Sequence, residues 1–588
     1  MFELEQKRID EQIRAYCAHA GLPEPKLQWS WIPFGGHWGI STSFFQLASQ
    51  EAREKGLKTN VAERAQAIAS NVAEVLGQPQ GFERVEAVRG YLNLYFSTAE
   101  YTRRVLDAVL TEGGQFGRGD SKGERVMVEF SQPNTHKAFH VGHLRSAILG
   151  DVLARILEAA GYDVVRANYP GDIGLHVVKW LWNYMQYHRG EKPQQDITRW
   201  MGDLYLEASK RLEANPDLEA EVRALYVRWD QRDPEVVALW EETRQWSLDG
   251  FKALYELLDI RFDVYYFNSM VEQAGKLLVN DLIDRGIASD ERPDGAVVVK
   301  LDELLGLDKE KFRVLVVLRS DGTALYATED LALAARKFSD YPDLAKSLYV
   351  VDVRQSLHFQ QVFKTLEIAG YPWAARCQHI PYELVTLPGN MAMASREGTV
   401  VLLEDLVREA TARALEIVRG KNPDLPAEKQ QEIAQAVALG AIRYSMISRE
   451  NTKVVTFDWE TALDFDGQAA PYIQYAYVRA GSILRKWGGD VPASSLPAYE
   501  LSPAEVQLVE LISRLPREIQ TAADDYRPMV LSNLAYEMAK AFNDFYNQCP
   551  VLQAEPAVRD GRLRLVAAAR QAIGNALSVL GVIAPTAM

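Results

Sequence analysis

The chain has 588 residues, 47% of them hydrophobic and 25% charged, with a formal net charge of −15. That length exceeds what one core holds and implies three or four domains. No apolar run approaches the roughly 18 residues that cross a bilayer, and the acidic balance argues against indiscriminate nucleic-acid binding, though not against a folded RNA held by local basic patches.

The first residues show no basic segment followed by an apolar core, so no secretory leader is expected. Cys17, Cys377 and Cys549 lie far apart, which excludes a cysteine zinc knuckle and a disulfide framework and suits a reducing cytoplasm. Residues 1–112 read as a small α+β unit. Asn60 and Glu63 suit a capping box before the stripe Val61, Ala65, Ile68, Val72 and Leu76, and residues 91–96 alternate like a strand. Glycines at 113, 114 and within 117–123 mark a linker.

From about 124 the pattern is strand, helix, strand: 126–130, a helix after 143, then 163–168 closed by a Pro170-Gly171 turn. A helical insertion follows, helical in pattern over 178–258 and reaching to about 290. Strands resume at 296–301, 314–318 and 348–353, and 113–400 is expected to be an α/β, doubly wound parallel-sheet (Rossmann-type) domain with ligands beyond the strands' carboxyl ends. Residues 401–588 read as all-helical, with Ser502-Pro503-Ala504-Glu505 a well-formed helix start.

Between the first strand of that domain and its helix lies Lys137-Ala138-Phe139-His140-Val141-Gly142-His143. Histidines three apart at a strand-to-helix turn sit where backbone N–H groups favour an anion, and Gly142 lets a flat ring or a phosphate approach the backbone. At this composition His-x-Gly-His is expected about 0.01 times by chance, and four of the nine histidines (His136, His140, His143, His176) fall between 136 and 176. The pattern points to a nucleotide seat, with a histidine helix cap as the plain alternative.

Together these stretches resemble the class I aminoacyl-tRNA synthetases, specifically the arginyl family, over essentially the whole chain. The resemblance is carried by Val128-Glu129-Phe130-Ser131-Gln132-Pro133-Asn134, by residues 137–146, by Leu325-Tyr326-Ala327-Thr328-Glu329-Asp330, by residues 349–358, by Pro471-Tyr472-Ile473-Gln474-Tyr475-Ala476 and by Ala584-Pro585-Thr586-Ala587-Met588. It implies arginine–tRNA ligation: arginine attacks the α-phosphate of ATP, pyrophosphate leaves, and the arginyl group passes to the 3′ end of tRNA(Arg). ATP would be a substrate accompanied by Mg2+, no zinc is expected, and the enzyme would be a monomer without membrane contact.

By the same resemblance His140 and His143 contact the ATP phosphates with Gly142, and Lys137 adds a fixed positive charge. His358 lies toward the ribose or adenine. The family's second signature loop matches residues 392–398, where Ala392 and Ala394 replace a usual lysine and serine, leaving Met393 and Arg396 on the ATP side. Glu129, Tyr326 and Asp330 face the arginine side chain, Asn134 and Gln355 its α-amino and carboxylate end. A carboxylate on a strand buried on both faces is costly unless paired, and a guanidinium is a fitting partner. Internal ion pairs, such as Glu129 with Arg145 or Asp330 with Arg336, are the alternative.

For tRNA, the resemblance implies an elbow contact at Tyr91 and Asn93 and anticodon reading by the helical 401–588 region through Tyr472, Tyr475, Arg479 and Met588. Tyr472 and Tyr475, three apart on one helix face, can offer rings to unpaired bases or simply pack a core. Three competitors stay open: another class I synthetase, a nucleotidyltransferase outside translation, and a silent RNA-binding paralogue.

Overall fold

The computed structural model describes residues 3–32, 37–387, 391–392 and 402–588, with the backbone alone at 387, 391 and 392. Its chain divides into two units, one of residues 1–116, 479–514 and 537–573, the other of 117–478, 515–536 and 574–588. No described helix is long and apolar enough to cross a membrane.

In the first unit an antiparallel sheet forms from Ser30–Trp31 (β1), Gly39–Ser43 (β2), Phe82–Val88 (β3) and Tyr91–Phe96 (β4), in the order β1-β2-β4-β3. Strand β4 buries Leu92, Leu94 and Phe96 and leaves Tyr91 outward, as its alternation requires. Helix Val61–Leu76 begins where the Asn60 side chain accepts from the Ala62 N–H at 3.0 Å and buries Ala65, Ile68, Val72 and Leu76. Helix Pro503–Ser513 starts with a reciprocal cap, Glu505 N–H to Ser502 Oγ at 3.3 Å and Ser502 N–H to Glu505 Oε2 at 2.8 Å.

The second unit adds Arg125–Glu129 (β5), Asp163–Asn168 (β6), Val264–Tyr265 (β7), Ser289–Asp290 (β8), Val297–Lys300 (β9), Val314–Leu318 (β10), Leu344–Asp352 (β11) and Cys377–Tyr382 (β12). Five of these make a wholly parallel sheet in the order β12-β11-β5-β6-β7. This is the expected doubly wound arrangement, and the strand order reverses between β5 and β11, so the ligand crevice opens beyond Glu129 and Asp352. The sheet does not take in 297–300 and 314–318. They pair antiparallel with each other, and β9 pairs antiparallel with β8, in a separate sheet around a core that includes Leu331, Val362 and Leu366. An apolar run shows that a strand is buried, not which sheet receives it.

The insertion is four helices, Leu175–Tyr187, Ile197–Ala214, Glu219–Asp230 and Pro234–Leu257, packed on buried Trp180, Trp182 and Trp240. Val385–Leu387 (β13) and Met391–Ala392 (β14) pair antiparallel, and β13 runs parallel to Val455–Thr456 (β15). From 402 onward β15 is the one strand among the described residues; the remaining elements are helices.

Candidate active site

The turn from β5 into helix Val141–Ala159 is unusually constrained. Ser131, Gln132 and His136 have φ of 78°, 42° and 60°, a backbone region that non-glycine residues adopt at a cost. Neighbours hold it there. The Ser131 N–H donates to Ser146 Oγ at 3.0 Å, Ser131 Oγ lies 2.7 Å from the Tyr255 hydroxyl, and the Gln132 N–H donates to Asn168 Oδ1 at 3.2 Å. His136 is buried with its ring nitrogens 2.9 Å from Thr135 Oγ1 and Thr243 Oγ1, so this histidine supports the turn from inside. The Pro170-Gly171 turn closes over it: the Thr135 N–H donates to Gly171 O at 2.9 Å, and a Cβ on Gly171 would come within 2.5 Å of Asn134 Oδ1.

His140 caps the helix. Its Nδ1 accepts from the Gly142 N–H at 3.1 Å, while His143 Nδ1 accepts from the His140 N–H at 3.4 Å. The two rings stack, centroids 3.9 Å apart and planes at 20°; a Cβ on Gly142 would strike the His140 ring at 2.8 Å, which is why glycine stands there. Because both Nδ1 atoms accept, each neutral ring carries its proton on Nε2, and neither Nε2 takes a protein partner among the described residues. Burial, together with Lys137, lowers His140 to about 4, and burial with His140 and Lys137 holds His143 well below the ordinary histidine range. The pair therefore offers two uncharged N–H donors. Lys137, its own pKa lowered by burial, stacks its ammonium over Tyr205 at 4.9 Å. The histidine cap, the plain alternative in the sequence, forms, and it leaves both Nε2 atoms without a partner among the described residues.

A second group of side chains gathers around Tyr169. Its hydroxyl is held well above the usual tyrosine range by burial and then by the charges of Asp330, Glu329, Glu129 and Asp172. Glu129 is buried, accepts from Gln132 Nε2 at 3.0 Å and forms an ion pair with buried Lys337, whose ammonium lies 3.6 Å from the Tyr349 ring centre. Asp330 pairs with His358, Nε2 to Oδ2 at 2.6 Å. Asp172 accepts from Ser269 Oγ at 2.6 Å and pairs with Arg244 at 3.0 Å. Glu329 is held by Asn268, which also donates to the Tyr169 hydroxyl at 3.0 Å. No cation pairs with Glu329 among the described residues, and burial raises it to about 7. The pairings Glu129–Arg145 and Asp330–Arg336 do not form: Arg145 turns to backbone carbonyls and Arg336 to Asp340. Tyr326 stands 78% exposed at the start of its helix, Gln355 is exposed and Asn134 half-buried.

Comparison with known proteins decides what this arrangement belongs to. The model of the catalytic domain of class I tRNA synthetases (R) matches residues 105–459, and that of the DALR anticodon binding domain matches 473–588. An arginine–tRNA ligase of Clostridium perfringens is 36% identical over 525 residues, 88% of this chain and 89% of that protein. One of Bdellovibrio bacteriovorus is 36% identical over 545 residues, 91% and 90%. The arginyl-tRNA synthetase of Thermus thermophilus superposes over 99% of this chain and 100% of its own with a TM-score of 0.78 at 28% identity.

The chain belongs to the class I arginyl-tRNA synthetases.

The synthetase resemblance singled out further residues on other elements. Tyr472 and Tyr475 are half-buried on helix Ala470–Trp487; Tyr472 tilts against Tyr536 with centroids 5.4 Å apart, and the Lys421 ammonium sits 5.0 Å from the Tyr475 ring centre. Arg479 donates to Asn543 Oδ1 at 2.7 Å and lies over Tyr546. On β4 Tyr91 is exposed, and Asn93 Oδ1 accepts from Ser41 Oγ at 2.7 Å. Met588 is half-buried. Met393 and Arg396 lie outside the described residues. Sequence reasoning missed Lys337, Glu329, Asp172, Asn268 and Tyr169. Asp172 alone had a signal, a carboxylate just past the end of a parallel strand beside the switch point; no local pattern links Lys337 to Glu129.

Proposed function

We infer that this chain activates arginine with ATP and passes the arginyl group to tRNA, and we assign the steps to its residues as follows. ATP lies beyond β5 and β11 with its phosphates toward the start of helix Val141–Ala159. His140 and His143 donate from their Nε2 atoms to phosphate oxygens, and Lys137 supplies the charge. The arginine carboxylate attacks the α-phosphorus, pyrophosphate leaves, and the donors stabilise charge that grows at phosphorus rather than forming a covalent intermediate. A terminal ribose hydroxyl of tRNA then attacks the arginyl carbonyl and AMP leaves.

The arginine guanidinium occupies the acidic group around Tyr169, with Asp330 and Tyr326 on its side chain and Asn134 and Gln355 toward its α-carbon. Lys337 already neutralises Glu129, so Glu129 orients the floor of this pocket through Gln132. Magnesium enters as the MgATP substrate. An ion of that kind is carried largely by phosphates and water. Met393 and Arg396 belong to the same ATP side by family position. Residues 1–112 contact the tRNA elbow through Tyr91 and Asn93; 113–400 form the catalytic domain; and 401–588 read the anticodon with Tyr472, Tyr475, Arg479 and Met588. The enzyme acts as a cytoplasmic monomer.

The observation that carries this reading is the stacked pair His140 and His143, whose caps leave two neutral donors at the switch point of the sheet. ATP–pyrophosphate exchange with each amino acid in turn, with and without tRNA, tests it. Exchange is expected with arginine and not with lysine, methionine or cysteine. Exchange driven equally by another amino acid would overturn the assignment.

A further inference from the structure

The helix that His140 opens carries a buried arginine with no carboxylate in ion-pair contact among the described residues. Arg145, two residues past His143, is 1% exposed. Its Nη2 donates to the carbonyls of Asn451 at 3.2 Å and Lys453 at 3.4 Å, and its Nε and Nη1 have no hydrogen-bond partner among the described residues. Other buried arginines of this unit are paired, Arg443 with Asp151 at 2.6 Å and Arg166 with Glu158. Burial pulls the pKa of Arg145 down to about 10. Tyr382 and Glu383 oppose that shift only in part; a buried cation hydrogen-bonded to carbonyls alone is costly, and an apolar side chain of similar length would fill the space more cheaply.

What those carbonyls do explains the arrangement. The Asn451 carbonyl that Arg145 grips also accepts the Glu383 N–H at 2.9 Å. Beyond it β15 pairs with β13, the Val455 N–H donating to Leu384 O at 3.1 Å and the Phe457 N–H to Thr386 O at 2.8 Å. The chain from 383 to 387 thus hangs on 451–457, and 451–453 is fastened to the helix of His143 by one guanidinium. On the far side of residues 388–401, Leu402 forms an antiparallel bridge with His140 and the Leu403 N–H donates to Phe139 O at 3.3 Å. Both flanks of that stretch are anchored within five residues of the histidine pair.

We propose that Arg145 is a positioning residue for adenylate formation: through the Asn451 and Lys453 carbonyls it sets the place of segment 383–387, which carries β13, relative to His140 and His143. The proposal rests on the assignment of those histidines to the ATP phosphates. An error of about 1 Å in such a placement can cost up to a hundredfold in rate.

The test compares Arg145→Met, Arg145→Lys and His143→Ala in the full-length enzyme. Exchange kinetics, thermal melting and amide hydrogen exchange are read together. Arg145→Met is expected to lower kcat for exchange about tenfold to a hundredfold, to leave the KM for arginine within about twofold, and to melt no lower than wild type. Amide protection should fall at 384–387 and 455–457 and hold elsewhere. Arg145→Lys, which can still reach one carbonyl, should recover part of kcat and of that protection, and it decides the matter if the methionine variant does not fold. Wild-type kcat in Arg145→Met, or a loss shared by melting temperature and every kinetic constant, overturns the proposal. If His143→Ala is also fully active, the fault lies instead in the assignment of the histidines.

Discussion

The two ends of the candidate site solve opposite electrostatic problems. At the end proposed to meet the phosphates Lys137 is the one charge among the described residues, and the histidines beside it are held neutral by burial and by Lys137. At the other end four carboxylates surround Tyr169, three of them paired with Lys337, His358 and Arg244 and the fourth, Glu329, with none among the described residues. Where charge develops during a reaction, fixed neutral donors stabilise the change without first drawing in a counter-ion. Where a substrate is already charged, selection needs opposite charge that the protein has not wholly cancelled. The difference predicts that damage at one end lowers rate and damage at the other raises an arginine requirement.

The strongest test strikes the phosphate end. His143→Ala should lower arginine-dependent pyrophosphate exchange about 10²–10³-fold, the usual cost of one lost donor at a developing charge, with tRNA affinity nearly unchanged in a filter-binding assay. Near-wild-type arginylation by this variant would erase the contrast altogether.

At the acidic end, Asp330→Asn should raise the KM for arginine roughly tenfold to a hundredfold, since one charge-assisted hydrogen bond is lost. The KM for ATP should hardly move. An unchanged arginine KM would mean that Asp330 serves only to hold His358, with which it pairs at 2.6 Å. A parallel shift in the ATP KM would place the pair on the nucleotide instead.

How much of this could be read beforehand depended on distance along the chain. The strand, turn and helix around His140 were legible because every cue lies within some thirty residues: an apolar run, a glycine between histidines, a four-residue apolar repeat. The parallel sheet was legible from the alternation of strands and helices. The partners of the site were not. Lys337 stands far along the chain from Glu129, and Thr243 and Tyr255, which brace the turn, arrive on an insertion whose sequence shows only that it is helical. Strands 297–300 and 314–318 carried the same apolar signal as the central strands, yet a different sheet received them. Local pattern shows what a segment becomes, and long-range packing shows which neighbour it meets.

Outside both ends, Tyr472→Ala and Tyr475→Ala separate recognition from packing. A stacked base is worth about 1–3 kcal/mol, so loss of either ring should raise the KM for tRNA roughly tenfold, and the double change more, with exchange constants for arginine and ATP intact. Tyr472 leans on Tyr536, so the packing alternative predicts a lower melting temperature with unaltered tRNA affinity. Both quantities measured on one preparation decide between them.

The smallest effect, and the finest probe of the comparison, is in pH. Burial raises Glu329 to about 7 despite the hydrogen bond from Asn268, and the charges of Asp330 on its own helix, Glu272 on the helix of Asn268 and Asp172 on the turn after β6 push the same way. An arginine cation entering beside it favours the ionised form, so binding must release a proton wherever Glu329 is protonated. The KM for arginine should therefore rise as pH falls through 7, about eightfold between pH 7.5 and 6, and level off above 7.5. His140 at about 4 and His143, held well below the ordinary histidine range, stay neutral across that window and add no slope to kcat. Stability follows the same linkage with its own sign. A carboxyl raised from 4.5 to about 7 by folding contributes stability below 4.5 that is lost as pH rises through 7, so Glu329→Gln should gain in melting temperature over wild type as pH goes from 5 to 8. The same variant should flatten the pH dependence of the arginine KM while leaving kcat in place. Should the slope of wild type persist in Glu329→Gln, the titrating group lies elsewhere and the acidic end has no uncancelled charge at this position.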